Sequence, residues 1–189
     1  MKLFPFLFLI FFACCSTITH ETPNESIVRK PIKELVDSLG ITAEDIQVKV
    51  FKSEYKLEVW DSKKVLRSYK IVLGGNPEGP KLMEGDRKTP EGSFKVRSLY
   101  PHAKWSKFIW FDYPNEQSII NHNQAKADGI ISANASIGGE VGIHGVPEGM
   151  NSWIDEGANW TLGCVSLTNE DVNDLYSVLQ KGTEITIFP

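Results

Sequence analysis

Two apolar–polar alternations and a third strand-like run lie end to end between residues 46 and 73, and they constrain the fold more than any other feature of the chain. Ile46, Val48 and Val50 alternate with Gln47, Lys49 and Phe51. Tyr55, Leu57 and Val59 alternate with Lys56, Glu58 and Trp60. Val65 to Leu73 makes a third run. Side chains on a strand point to opposite faces with a period of two, so such runs offer one face to a core and one to water. The links, Ser53-Glu54 and Asp61 to Lys64, are too short for a crossover and imply hairpins. The expected nucleus is an antiparallel sheet.

Helices and a last strand frame that nucleus. Val28 to Leu39 reads as a short helix, with Pro31 near its start, Ile32, Leu35, Val36 and Leu39 at helical spacing, and Gly40 as its stop. Thr168 is placed to cap a second helix, with Asp171 three positions on. Val172, Leu175, Tyr176 and Leu179 form its apolar stripe and Gly182 ends it. Thr183 to Phe188 alternates again and reads as a closing strand. Residues 74–93 carry Gly74, Gly75, Pro77, Gly79, Pro80, Gly85, Pro90 and Gly92 and read as loop. Residues 112–142 also read as irregular, and a long loop inside a compact domain is more often functional than idle. The expected class is mainly β with short helices (α+β).

The N-terminus has a different character. Lys2 precedes Leu3 to Ala13, an uncharged and mostly apolar run that fits the h-region of an export signal. Crossing a bilayer needs roughly 20 such residues, more than this run supplies. Ala13-Cys14 resembles the lipobox of bacterial lipoproteins, in which the Cys is lipidated; ordinary cleavage with a soluble product is the alternative. Ser16 to Ser26 is polar and suits a tether. The expected organisation is a signal peptide over 1–13, a lipidated or flexible tether with the short helix over 14–44, and one domain over 45–189. Both readings place the domain in the cell envelope. The chain has 189 residues, 23% charged and 41% apolar, with a net charge of −4. That describes a globular chain and argues against a nucleic-acid partner, which leaves a basic footprint.

The chemistry-bearing residues are few. Cys164 is the single Cys of the 45–189 domain, so no disulfide can form within it. A lone buried Cys is usually a small hydrophobe. This one follows Thr161-Leu162-Gly163 and precedes Val165-Ser166-Leu167, a tight turn leading into a strand-like run. A nucleophilic thiol needs a base. His20 lies in the tether, and His102 and His122 sit in polar segments as ordinary surface histidines. His144 ends a short apolar run after Gly138, Gly139 and Gly142, twenty positions before the Cys, which suits neighbouring strands. No two His or Cys stand at short metal-ligand spacing, so no metal site is expected.

These residues resemble the L,D-transpeptidase catalytic (YkuD-type) domain family. Ile143-His144-Gly145 followed by Thr161-Leu162-Gly163-Cys164 is similar to that family's two catalytic motifs. Gly85 to Gly92, with Thr89-Pro90-Glu91-Gly92, is similar to its Thr-Pro-x-Gly loop, and Gly182 to Pro189 to its closing strand. The resemblance covers roughly residues 45–189. It departs at Leu162, where the family carries His, and at Ser166, where Arg or Asn is commoner. These departures, with Tyr113-Pro114-Asn115 and Asn159-Trp160-Thr161, resemble a branch related to murein amidases.

The resemblance implies a β-sandwich with a C-terminal helix and a closing strand. It also implies acyl transfer on peptidoglycan stem peptides. In that picture Cys164 attacks a carbonyl, His144 is the base, and the Gly145 carbonyl orients the imidazole. The Gly163 and Cys164 N–H groups hold the oxyanion. No metal and no cofactor are implied. Arg87, Thr161, Ser166 and Trp160 are candidate substrate contacts, with Trp153 as a second possible wall. Hydrolysis, releasing a peptide or an attached protein from peptidoglycan, is the alternative. A non-catalytic peptidoglycan-binding module is the third reading. The expected partners are stem peptides, a peptidoglycan-linked protein, and a membrane reached through a lipid on Cys14.

Overall fold

The computed structural model describes residues 29–189. The expected signal, the Cys14 anchor, the tether and the first residue of the N-terminal helix lie outside the described residues. The elements are α1 (Ile32–Ser38), β1 (Gln47–Phe51), β2 (Lys56–Trp60), β3 (Val65–Lys70), β4 (Gly92–His102) and β5 (Ser106–Phe111). Then follow α2 (Glu116–Ala127), β6 (Gly142–His144), α3 (Ser152–Asp155), β7 (Val165–Ser166), α4 (Asn169–Tyr176) and β8 (Glu184–Phe188).

The alternating runs become strands with the expected faces inward. Val48, Val50, Leu57, Val59, Ile185 and Ile187 are all buried. β1 and β2 pair antiparallel, as do β2 and β3, and β8 inserts parallel to β1 and antiparallel to β4. The spatial order is β3-β2-β1-β8-β4-β5-β6-β7. The long β4 joins two halves: Gly92 to Lys95 pair with β8, and Val96 to His102 pair with β5 across a bulge between Val96 and Ser98. A bulge bends its strand and sharpens the twist. The chain leaving β3 then meets β7, with Val72 and Ser166 exchanging two backbone hydrogen bonds of 2.9 Å. The two ends of the sheet thus come together, and the sheet folds over one core. That core runs from Val48 and Leu57 through Phe111 and Ile143 to Val172 and Ile185.

The Thr168 cap and the Gly40 stop are seen, whereas α4 ends at Tyr176, short of the expected stop at Gly182. Thr168 Oγ1 accepts from the Asp171 N–H at 3.1 Å and caps α4. Gly40, at φ +64°, follows α1, while Gly40 N–H bonds Asp37 O and Ile41 N–H bonds Val36 O, a Schellman closure. α1 is no loose tether: Ile32 and Val36 are buried in the main core. Its Ile32 N–H donates to Asp174 on α4, and Arg29 pairs with Asp171 and Asp174.

The 112–142 excursion is a correction. It holds α2, a 12-residue helix capped by Asn115, whose side chain accepts from the Ser118 N–H at 3.0 Å. α2 lacks an inward apolar stripe. Ile119 and Ile120 are exposed, and the residues it buries are His122 and Ala125. His122 is therefore not a surface histidine: its Nδ1 lies 2.6 Å from Leu82 O and ties α2 to the 74–93 loop.

Candidate active site

β6 and β7 lie side by side and parallel, with Ile143 opposite Val165 and His144 opposite Ser166. This pairing carries His144 at the end of β6 and Cys164 just ahead of β7 into the lining of one cavity of about 750 Å3. The same cavity is walled by Tyr100, Trp105, Phe108, Trp110 and Trp160.

His144 is buried at 2% exposure. Its ring stacks on Trp105, with centroids 4.4 Å apart, and meets Trp160 edge-on at 5.4 Å. Nδ1 lies 2.7 Å from Gly145 O. A carbonyl only accepts, so Nδ1 carries the hydrogen, and in the neutral ring Nε2 keeps its lone pair. The Ser166 hydroxyl donates to the same Gly145 O at 3.2 Å. Gly145 has no room for a side chain. A Cβ there would sit 2.7 Å from Trp105 O and still nearer Asn169 Oδ1. Those two groups are in use: Gly145 N–H donates to Trp105 O at 3.0 Å, and Val146 N–H to Asn169 Oδ1 at 3.1 Å. The turn between β4 and β5 and the start of α4 thus grip the end of β6.

Cys164 is half-buried, and its thiol donates to Glu140 O at 3.7 Å. Gly163 ahead of it has φ +140°, a left-handed value that suits glycine, and a Cβ there would meet Lys88 O at 2.7 Å. Thr161 closes the turn. Its hydroxyl donates to Cys164 O at 2.6 Å and accepts from the Gly163 N–H at 3.2 Å. The Gly163 N–H is therefore not a free oxyanion donor, whereas the Cys164 N–H donates to no described residue.

The electrostatics keep both groups neutral at rest. Burial pulls His144 down to about 4, resisted by the Gly145 carbonyl and reinforced by His102. Burial pushes the Cys164 thiol up to about 11; the Gly142 N–H and Lys81 oppose that rise and Glu140 adds to it. Between these values the site holds a thiol and a neutral imidazole, not a preformed ion pair.

The other expected contacts divide. Trp160 and Thr161 line the cavity. Trp153 stands behind Trp160, ring centroids 5.4 Å apart, and does not line it. Ser166 is fully buried behind Gly145 and cannot meet a substrate. Arg87 is exposed, with its guanidinium packed against the Gly75 backbone, outside the cavity lining. His102 reaches the cavity wall and stacks on Trp105 at 4.4 Å, so it too is no ordinary surface histidine. Sequence reading missed Trp105 and Lys81. Trp105 lies in the turn between β4 and β5, and aromatic residues abound nearby. Lys81 had one signal, an acid five positions on in a Gly/Pro-rich loop. Among the described residues, no group of three or more His, Cys, Asp or Glu is arranged to hold a metal.

A half-buried thiol and a carbonyl-oriented imidazole thus line one cavity. The L,D-transpeptidase catalytic domain (YkuD) family model matches residues 45–187, and the chain belongs to that family. YafK of Escherichia coli (strain K12), provisionally named an L,D-transpeptidase, is 24% identical over 157 residues. The match takes in 76% of this chain and 54% of YafK. Solved structures of the same fold include Bd1075 of Bdellovibrio bacteriovorus (TM-score 0.56, 18% identity, 77% of this chain, 48% of that one). Pgp2 of Campylobacter jejuni, described as a helical cell shape determining protein, matches at TM-score 0.54 and 20% identity over 82% of this chain and 54% of Pgp2. The chain spans about half the length of the curated relatives it matches.

Proposed function

We propose that this protein is a cysteine acyltransferase of the cell envelope that acts on peptidoglycan stem peptides through a Cys164 thioester. The supporting observation is the parallel β6–β7 pair. It brings a thiol and a buried imidazole to one cavity, with Nδ1 committed to Gly145 O and Nε2 left as base.

The steps follow from the two neutral groups. Cys164 Sγ bonds to the substrate carbonyl carbon as its proton passes to His144 Nε2. The tetrahedral oxygen gains negative charge beside the Cys164 N–H. The C–N bond then breaks, and the proton on the imidazolium leaves with the departing amine. An imidazolium is disfavoured in this buried site, which speeds that second transfer. The remaining thioester yields to an acceptor amine, giving a new amide, or to water, giving a free carboxylate. Trp105 and Trp160 hold the imidazole plane through both transfers.

Digestion of purified murein followed by mass spectrometry tests this reading. New peptide crosslinks, absent with Cys164→Ala, are expected. Released peptide or protein without new crosslinks assigns hydrolysis to the same thioester. Undiminished turnover by Cys164→Ala removes Cys164 as nucleophile, and murein retained without any product marks a binding module.

A further inference from the structure

We propose that Lys81 is the fixed cation of this site: its ammonium, clamped by Asp86, faces the Gly163–Cys164 turn and stabilises the negative charge that forms at Cys164 during attack. The proposal rests on Cys164 as the nucleophile of the preceding section.

Lys81 is an unusual lysine. Its side chain is 4% exposed and that of its partner Asp86 8%, with Nζ 2.8 Å from Oδ1. Nζ also donates to Met83 O at 3.1 Å. Asp86 in turn accepts from the N–H groups of Leu82, Met83 and Lys88. Burial works against this carboxylate, but the Lys81 ammonium and the three amides outweigh it and hold it below its usual range. The carboxylate is therefore held charged, and it fixes the position of the ammonium. Buried ion pairs add little stability over an apolar pair of the same size, so stability alone is a poor reason for one here.

The location supplies the reason. An ammonium has three protons, and two have described partners. Nζ would stand 3.7 Å from a Cβ on Gly163, the residue ahead of the nucleophile. Lys81 is the one Lys or Arg among the residues lining the cavity, whereas Glu84 and Glu140 both line it. Tyr100, His102 and His144 complete the titratable lining besides Cys164 itself. Without Lys81 a thiolate would form in a cavity lined by two glutamates and no Lys or Arg. Lys81 also compensates for the Gly163 N–H, which Thr161 has already taken.

Site-resolved alkylation of the full chain tests the assignment without any peptidoglycan, by peptide mapping of Cys164. The neutral reagent iodoacetamide reads the thiolate fraction, because an S–C bond forms as iodide leaves; anionic iodoacetate also reads the local potential. An opposite charge at close range is worth about one pKa unit or more. Lys81→Met should therefore slow iodoacetamide about tenfold near pH 8, move the titration to higher pH, and lower the iodoacetate-to-iodoacetamide rate ratio. Asp86→Asn keeps an acceptor but removes the countercharge, and should speed alkylation. A folded Lys81→Met with wild-type rates and ratio overturns the proposal. If that variant does not fold, unchanged or slower alkylation in Asp86→Asn overturns it instead. A protein inert on murein that still shows these shifts sinks the substrate reading and leaves Lys81 in place.

Discussion

Strands β1, β2 and β8 each run five residues, and the apolar side chains of their alternating patterns form the core. Strands β6 and β7 run three and two, and every residue of both is buried. The first group is held by repetition: many equivalent cross-strand pairs and one apolar face. The second is held by single close approaches, at Gly142, Gly145 and Gly163, where backbone or side-chain atoms of other segments occupy the space a Cβ would need. A region built on repetition tolerates the loss of one contact. A region built on close approach does not, and this is the region that carries His144 and Cys164.

The largest expected difference comes from adding one methyl group on the fragile side. In Gly145→Ala the new Cβ collides with Asn169 Oδ1 and Trp105 O. The end of β6 must shift, and with it the carbonyl that orients His144. Overpacking of this kind costs about 1–3 kcal/mol in stability. Catalysis needs geometry held within about half an ångström, so turnover of murein should fall by about a hundredfold or more. Urea titration alongside the murein assay separates the two losses. A variant with near wild-type turnover would show that the grip on β6 is not what aligns the imidazole.

The matching change on the robust side deletes atoms. Leu57 is fully buried in β2 and does not line the cavity. Leu57→Ala should cost about 2–5 kcal/mol of stability. At temperatures well below its midpoint the folded fraction should turn over murein at the wild-type rate. Lost activity in a demonstrably folded Leu57→Ala would break the division between the two regions.

The same division explains what could be read from the sequence. β1 to β3, the Thr168 cap and the closing strand were legible because alternation and caps are local signals, decided within a few residues. α2 was not, because its isoleucines face outward while a His and an Ala face in, and a search for an apolar stripe passes over it. The Asn115 cap was its one local mark. At the site, the motifs singled out His144 and Cys164, but motif positions do not say where a side chain points. Arg87 and Ser166 were expected at the substrate and lie elsewhere; Lys81 and Trp105 arrive through irregular segments whose paths are set by contacts distant in sequence.

Ser166 carries the smallest expected effect and the sharpest test of how close approach works. Its hydroxyl and the His144 N–H share the Gly145 carbonyl. Ser166→Ala removes one of two donors and leaves an acceptor that is still satisfied, so the cost is that of one neutral hydrogen bond, about 1 kcal/mol. The β6–β7 backbone pairing is untouched, because His144 and Ser166 pair through main-chain atoms. Turnover should fall severalfold at most, with the loss in kcat and not in KM, since Ser166 is sealed from the cavity and acts through Gly145. A rise in KM at constant kcat would instead put Ser166 in contact with substrate and reverse the account of that residue given by its burial.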